Sequence, residues 1–210
     1  MRIPLLTLLA LPAPALADPC TEEIAAMFRG GALDPFARPA HRQLREVYGE
    51  DGALDSTFEA LIETPTQIVS GVVGSGNYML MQGRETWIGP TMDGPWSPSG
   101  MTITEDVAAA QAAVPESQAA NLTGAECLGE TEVEGRAAIA YRFTTRVDPH
   151  PARGNSWWGS RDTVYLDPDT GLPFRWEATD HQSSWAQGLS RELHVTTIEY
   201  DASIDVEAPR

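Results

Sequence analysis

Four histidines, two cysteines and a scatter of serines and carboxylates are the residues of this 210-residue chain with types suited to chemistry. Of these, His181 and His194 have the best geometric argument. If strands around Glu177 and Val195 pair through a turn near Gln187, the two imidazoles approach each other across the hairpin. Asp180 beside them would then complete a metal-ligating set. No HxxxH, no HxH and no cysteine companion supports such a site, so the favoured reading is a pair of surface histidines. The expectation is no metal and no cofactor. His150 is held in a loop between Pro149 and Pro151, and His41 is the fourth.

Covalent chemistry is no better supported. Ser75 lies in Gly74-Ser-Gly76 without the flanking G-x-S-x-G elbow that exposes a nucleophile. Carboxylates abound, but no two sit at the defined separation that glycoside hydrolysis requires. The run Gly71-Val-Val-Gly74-Ser-Gly76 has neither a following helix nor a lysine, and reads as a bulged or closely approached strand rather than a phosphate cradle. Asn121-Leu-Thr123 fits a glycosylation sequon. The chain is therefore not expected to be an enzyme. One loop departs from the rest: Asp148 to Arg161 concentrates Arg153, Trp157, Trp158 and Arg161 in a chain short of cations. Tryptophan with arginine is the composition of an interaction hot spot. Alternatively, Trp157 or Trp158 enters a strand and packs.

Residues 1–17 carry one cation, Arg2, then the apolar run Leu5 to Leu11, then Ala15-Leu16-Ala17, a small-x-small cleavage pattern. They read as a signal peptide cut between Ala17 and Asp18, which implies a periplasmic or secreted protein. Lipidation at Cys20 is the alternative, disfavoured by Asp18 and Pro19 where small residues are wanted. No later segment has the ~20 apolar residues of a spanning helix. The formal charge of −16 becomes −17 when Arg2 leaves with the leader, which repels phosphate backbones and sets nucleic acid aside as a partner. Cys20 and Cys127, an even pair in an exported chain, are expected to form one disulfide. Residues 18–210 make one domain.

Around these residues, Thr21 to Arg29 reads as a short helix with Ile24, Met27 and Phe28 on one face and Gly30-Gly31 as its stop. Strands are expected at about 41–48, 57–64, 66–73, 76–81 and 84–89, at the spacing of a β-meander. Phe58, Ala60 and Ile62, and again Ile139, Tyr141 and Phe143, alternate as strands with one buried face do. A second helix is expected over Thr104 to Val114, with Thr102 and Glu105 as a capping box and Pro115 as its end. The last third holds the clearest local signal: Val164 to Leu166 and Phe174 to Glu177 flank Asp167-Pro-Asp-Thr-Gly171. There proline presets φ, aspartate caps locally and glycine takes a positive φ. The strand His194 to Tyr200 follows.

The stretch Val164-Tyr-Leu-Asp-Pro-Asp-Thr-Gly-Leu-Pro-Phe-Arg175, with a closing strand ending Tyr200-Asp201 before Pro209, resembles the LolA/LppX-like periplasmic proteins. Signal peptide, short helix, antiparallel strands and small helices precede it in that family's order. The superfamily includes carriers of outer-membrane lipoproteins. The resemblance implies a mainly β fold: a curved, incompletely closed antiparallel half-barrel with short helices covering its concave face. It further implies a pocket for a lipid, a lipoprotein acyl chain or another hydrophobic ligand. Candidate lining residues are Phe58, Ile62, Met79, Met81, Trp87, Tyr141, Phe143, Trp176 and Ile198. An envelope protein partner held by the Trp157/Trp158 loop, without an internal ligand, is the alternative.

Overall fold

A computed structural model describes residues 18–101, 103 and 106–209; the expected leader over residues 1–17 and the Thr102/Glu105 capping box lie outside the described residues. Helix α1 (Pro19–Met27) begins two residues before the expected Thr21. Pro19 occupies its first turn, where a missing N–H costs nothing and φ is already helical. Gly30, at φ 83°, stops it.

Eleven strands of the described residues form one sheet: β1 (His41–Tyr48), β2 (Leu54–Thr64), β3 (Gln67–Val72), β4 (Tyr78–Gln82), β5 (Glu85–Gly89), β6 (Ser97–Pro98), β7 (Thr123–Val133), β8 (Arg136–Val147), β9 (Trp158–Leu166), β10 (Pro173–Ser183) and β11 (Leu193–Tyr200). Their order is β6-β5-β4-β3-β2-β1-β11-β10-β9-β8-β7. Two sequential antiparallel meanders are thus joined side by side through β1 and β11, in register from His41 opposite Tyr200 to Tyr48 opposite Leu193. The sheet is not closed: it is a curved half-barrel. Its long edge strand β7 carries Glu126, Glu130 and Glu132, charges that discourage a further strand from pairing.

Directly paired residues share a face, so the ladders assign the two sides. Gln43 aligns with Ile198 on one side and with Ala60, Ser70 and Met79 on the other, a row on the inner face. Arg42 aligns with Leu61, Val69, Leu80 and Trp87 on the outer face. Each face has its own core. Inside, α1 and its following turn pack Ile24, Phe28 and Leu33 onto Tyr141, Phe143, Val164 and Leu166 of β8 and β9. Phe28 and Phe143 meet edge-on with ring centroids 5.6 Å apart. Outside, Val69 and Leu80 pack with Trp87, Trp96 and the C-terminal tail through Ile204 and Val206. The tail is fixed by the Val206 N–H, which donates to Glu63 Oε2 at 2.8 Å.

Helix α2 (Val107–Ala120) is capped by Asp106, whose Oδ1 accepts from the Ala109 N–H at 3.0 Å. The expectation that Pro115 ends this helix is corrected: the helix runs through it for five more residues. Proline removes one N–H and crowds the carbonyl four residues back, a cost of ~3 kcal/mol in a free helix. Here Pro115 is buried, so packing offsets that loss. The true stop is Asn121, whose side-chain NH2 donates to Ser117 O at 3.0 Å and Asp148 Oδ2 at 2.9 Å.

Three local expectations are met in detail. Asp167 Oδ1 accepts from the N–H groups of Asp169 and Thr170 and from the Thr170 hydroxyl, while Gly171 takes φ 69°. Arg136 Nη2 donates to Asp167 Oδ2 at 2.6 Å, and these contacts hold the carboxyl down at about 2. Gly71 is closely approached: a Cβ there would lie 2.5 Å from the Tyr78 ring. Cys20 and Cys127 are disulfide-bonded across 107 residues with Cα atoms 5.7 Å apart, which ties α1 to β7.

Candidate ligand cavity

The helices cover only part of the inner face. Beside them, over β1, β11, β10 and the start of β9, lies an open cavity of about 500 Å³. That volume is in the ~300–1,000 Å³ range of small-molecule sites. Trp158, Trp176, Trp185, Ala178 and Ile198 form its apolar wall, and Arg38, Arg45, His181 and His194 are among its polar lining. A second hollow of about 320 Å³ shares Gln43 and Arg45 with the first and continues over Phe58, Ala60, Val72 and Met79. The two make one groove running along the concave face.

A β-bulge shapes the first hollow. Thr179 pairs with Arg161 and Gln182 with Gly159, so three steps on β10 match two on β9. The extra residue falls where Asp180 adopts φ 53°. Regular alternation would have sent His181 outward with Thr179; the bulge turns it inward instead. Glu177 does pair with Val195, and His181 and His194 stack with ring centroids 3.9 Å apart and planes 29° from parallel. Burial, then the neighbouring His181, pushes His194 down to about 4; burial also lowers His181. Both rings are therefore neutral at pH 7. His194 Nε2 is buried and lies 3.6 Å from Glu192 Oε2, too long for a hydrogen bond. Among the described residues no three His, Cys, Asp or Glu side chains gather as metal ligands.

Beneath the cavity, Asp162 of β9 is 4% exposed. Its Oδ1 accepts from Trp176 Nε1 at 2.7 Å, and both carboxylate oxygens accept from the Ser160 hydroxyl at about 3 Å. Desolvation outweighs those bonds and raises the carboxyl to about 6. Its role is to fix the Trp176 indole as a wall. Arg38 is lowered by burial, and its buried Nε has no hydrogen-bond partner among the described residues. Arg45 lies with its guanidinium carbon 4.7 Å from the Phe58 ring centroid.

The expected lining residues separate into three groups. Trp176 and Ile198 line the first hollow, and Phe58 and Met79 the second. Ile62 and Met81 share the inner face farther along their strands and stay half-buried. Tyr141 and Phe143 are sealed beneath α1, where the Tyr141 hydroxyl donates to Glu23 Oε1 at 2.6 Å. Trp87 lies on the opposite face, in the core closed by the tail.

The Trp and Arg loop does not form one surface. Trp158 enters the first hollow, 6.3 Å from Trp185. Trp157 lines a separate cleft with Asp180. Arg153 is used internally, donating to Ala110 O at 3.0 Å and Asp148 O at 2.9 Å. Arg161 lies on the outer face, 3.7 Å from Glu126. Sequence reasoning missed Arg38, Arg45, Asp162 and Trp185. For Asp162 a signal existed: an acid at an inward position of a strand that ends in Val164-Tyr-Leu166.

No protein-family model matches the sequence, and no curated protein matches it. Among solved structures the chain is similar to the lipoprotein LppX of Mycobacterium tuberculosis, at 14% identity over 89% of this chain and 99% of that one, with a TM-score of 0.49. It is similar to LprF of Mycobacterium bovis at 9% identity over 90% and 97%, with a TM-score of 0.48. A LolA-superfamily protein of Nitrosomonas europaea matches at 9% identity over 83% and 90%, with a TM-score of 0.31. One open antiparallel sheet, two short helices on its concave side and an uncovered groove beside them make up the half-barrel architecture that the sequence resemblance implies.

Proposed function

We propose that this protein is exported to the cell envelope, its leader cut between Ala17 and Asp18, and that it binds a lipid, a lipoprotein acyl chain or another hydrophobic ligand non-covalently in the groove. The observation that carries this reading is the about 500 Å³ hollow walled by three tryptophans and continuous with the row of half-buried Phe58 and Ala60 and exposed Met79. Where α1 packs, the inner face is filled by aromatic rings; where the groove runs, nothing of the described chain fills it. A ligand there gains ~25 cal/mol for each Å² of apolar surface removed from water. Because the groove is already open, no helix must move to admit it.

The test is native mass spectrometry and lipid extraction of the protein purified after export, against an Ala178→Trp variant. Ala178 sits on the groove floor opposite His194, so the added indole occupies the hollow without touching either core. Wild type should carry co-purifying hydrophobic mass and the variant should not. A variant that is folded and equally loaded places the ligand elsewhere and refutes this site.

A further inference from the structure

The groove has an apolar wall and a polar lining, and that lining includes two cations in a chain of formal charge −16. Arg45 is lining shared by both hollows, and Arg38 lines the first. Among the described residues the ion pairs involve Arg29, Arg136, Arg142, Arg146, Arg161 and Arg175. Neither Arg38 nor Arg45 is in one, although acids outnumber bases by 30 to 14. Arg42, Arg153 and Arg191 are in none of these pairs either; what sets Arg38 and Arg45 apart is that both line one cavity. Here two guanidinium groups face the same cavity: Arg38, which feels Asp34 and Tyr200 but is in no ion pair, and Arg45, which stacks on Phe58.

Two buried nitrogens are unmet in the same place. The Nε of Arg38 is buried without a partner, and so is His194 Nε2. An unpaired buried donor costs ~1–3 kcal/mol, so it marks a place where a group from outside completes the site. The acids nearby do not satisfy them. Glu192, the carboxylate in the first hollow's lining, lies beyond hydrogen-bond distance of His194 Nε2, and Asp162 turns both oxygens to Ser160 and Trp176. Glu59, beside the second hollow, accepts from the Tyr78 hydroxyl at 2.7 Å on the outer side.

We infer that the groove takes an anionic amphiphile, with an acidic phosphate or carboxylate head against Arg38 and Arg45 and an acyl chain along the tryptophan wall and the Phe58–Met79 row. This rests on the proposed hydrophobic-ligand function and names the polar end of that ligand. A planar guanidinium bonds such an oxyanion through two parallel N–H donors. Gln43 and the stacked histidines lie in the same lining and add neutral donors. Apolar contact holds the chain and the paired arginines choose the head.

Three tryptophans in the wall make intrinsic fluorescence the readout. The secreted protein is titrated with 1-oleoyl lysophosphatidylglycerol, with 1-oleoyl lysophosphatidylcholine and with sodium phosphate, alongside an Arg45→Gln variant and, as a second, Arg38→Gln. Urea midpoints establish that each variant is folded. The anionic lysolipid should bind about tenfold or more tightly than the zwitterionic one, the worth of one charge-assisted pair. Either variant should bring that ratio toward one, and millimolar phosphate should not displace the lysolipid. Equal affinity for the two lysolipids in wild type overturns the headgroup assignment and leaves the hydrophobic-ligand reading standing. Displacement by phosphate alone overturns it in favour of a free-anion site. A preference unchanged in both folded variants removes the arginines from the site. Binding of neither lysolipid overturns the proposed function together with this inference.

Discussion

Replacing Asp162 by Asn tests the least expected group at the groove. The amide keeps the shape and an acceptor for Trp176 Nε1, and removes the charge. Burial raises this carboxyl from an ordinary value near 3.8 to about 6. At ~1.4 kcal/mol per pH unit, the ionised form is therefore about 3 kcal/mol costlier in the folded than in the unfolded chain. The folded state holds the proton more tightly, so the contribution of the protonated carboxyl is complete below pH 3.8. It is lost as pH rises through 6. Urea unfolding of wild type and Asp162→Asn at half-unit steps from pH 4 to 8, with the disulfide intact, isolates the term, because every other titrating group is common to both. The variant should gain on wild type by roughly 2 kcal/mol between pH 4 and pH 7, the rest of the ~3 kcal/mol falling below pH 4, where the unfolded carboxyl titrates. A difference that stays flat across that range, or moves the other way, refutes the raised carboxyl and with it the dry setting assigned to the Trp176 anchor.

Three further outcomes follow from other parts of the molecule. Trp87→Ala should cost about 2–3 kcal/mol, below the full burial value because the ring is half-buried, and should leave lysolipid affinity unchanged, since the ring packs under the tail on the other face; loss of affinity in a folded variant would return Trp87 to the groove. Replacing Cys20 and Cys127 by Ser should lower stability by roughly 4–5 kcal/mol, the loop-closure value for a bridge spanning 107 residues, read as a fall in Tm. For His194, the folded chain prefers the neutral ring, so the cost of protonation is absent above 6.5 and grows as pH falls toward 4; His194→Gln should flatten the acid limb of the stability profile, and an unchanged limb would mean the pair is well solvated.

Much of the frame was legible because it is written locally. The Asp167 turn announces itself through residues that each have one conformational use, and the strand expected at 41–48 is β1 with the same limits. That His181 and His194 meet followed from pairing Glu177 with Val195. What failed was parity. Nothing local tells whether Trp87 faces with Met79 or with Leu80, because the answer is the register of a hairpin, and one residue of slip exchanges the faces. The same alternation that made Tyr141 and Phe143 look like pocket lining could not show that α1 would lie on them. Arg45 was overlooked because a charged residue in an exposed-looking strand has no signature of its own. Its meaning depends on a neighbour, Thr196, about 150 positions away in sequence. The end set by Pro115 was overruled by burial, a tertiary effect that helix-stop rules cannot carry.

The pairing of β1 with β11 has a consequence for when the protein becomes competent. Each meander can assemble from hairpins between sequence neighbours, but β1 and β11 are the first and last strands, and their union closes the longest loop in the domain. Such contacts are among the slowest to form because chain entropy is spent before they repay it. The groove straddles this junction, drawing Gln43 and Arg45 from one bank and His194, Thr196 and Ile198 from the other. A half-made chain, or one with either meander misfolded, lacks the first hollow, which needs residues of both. On the proposed function, a ligand can occupy the first hollow only in a molecule whose two ends have already met, so loading would certify that folding is complete.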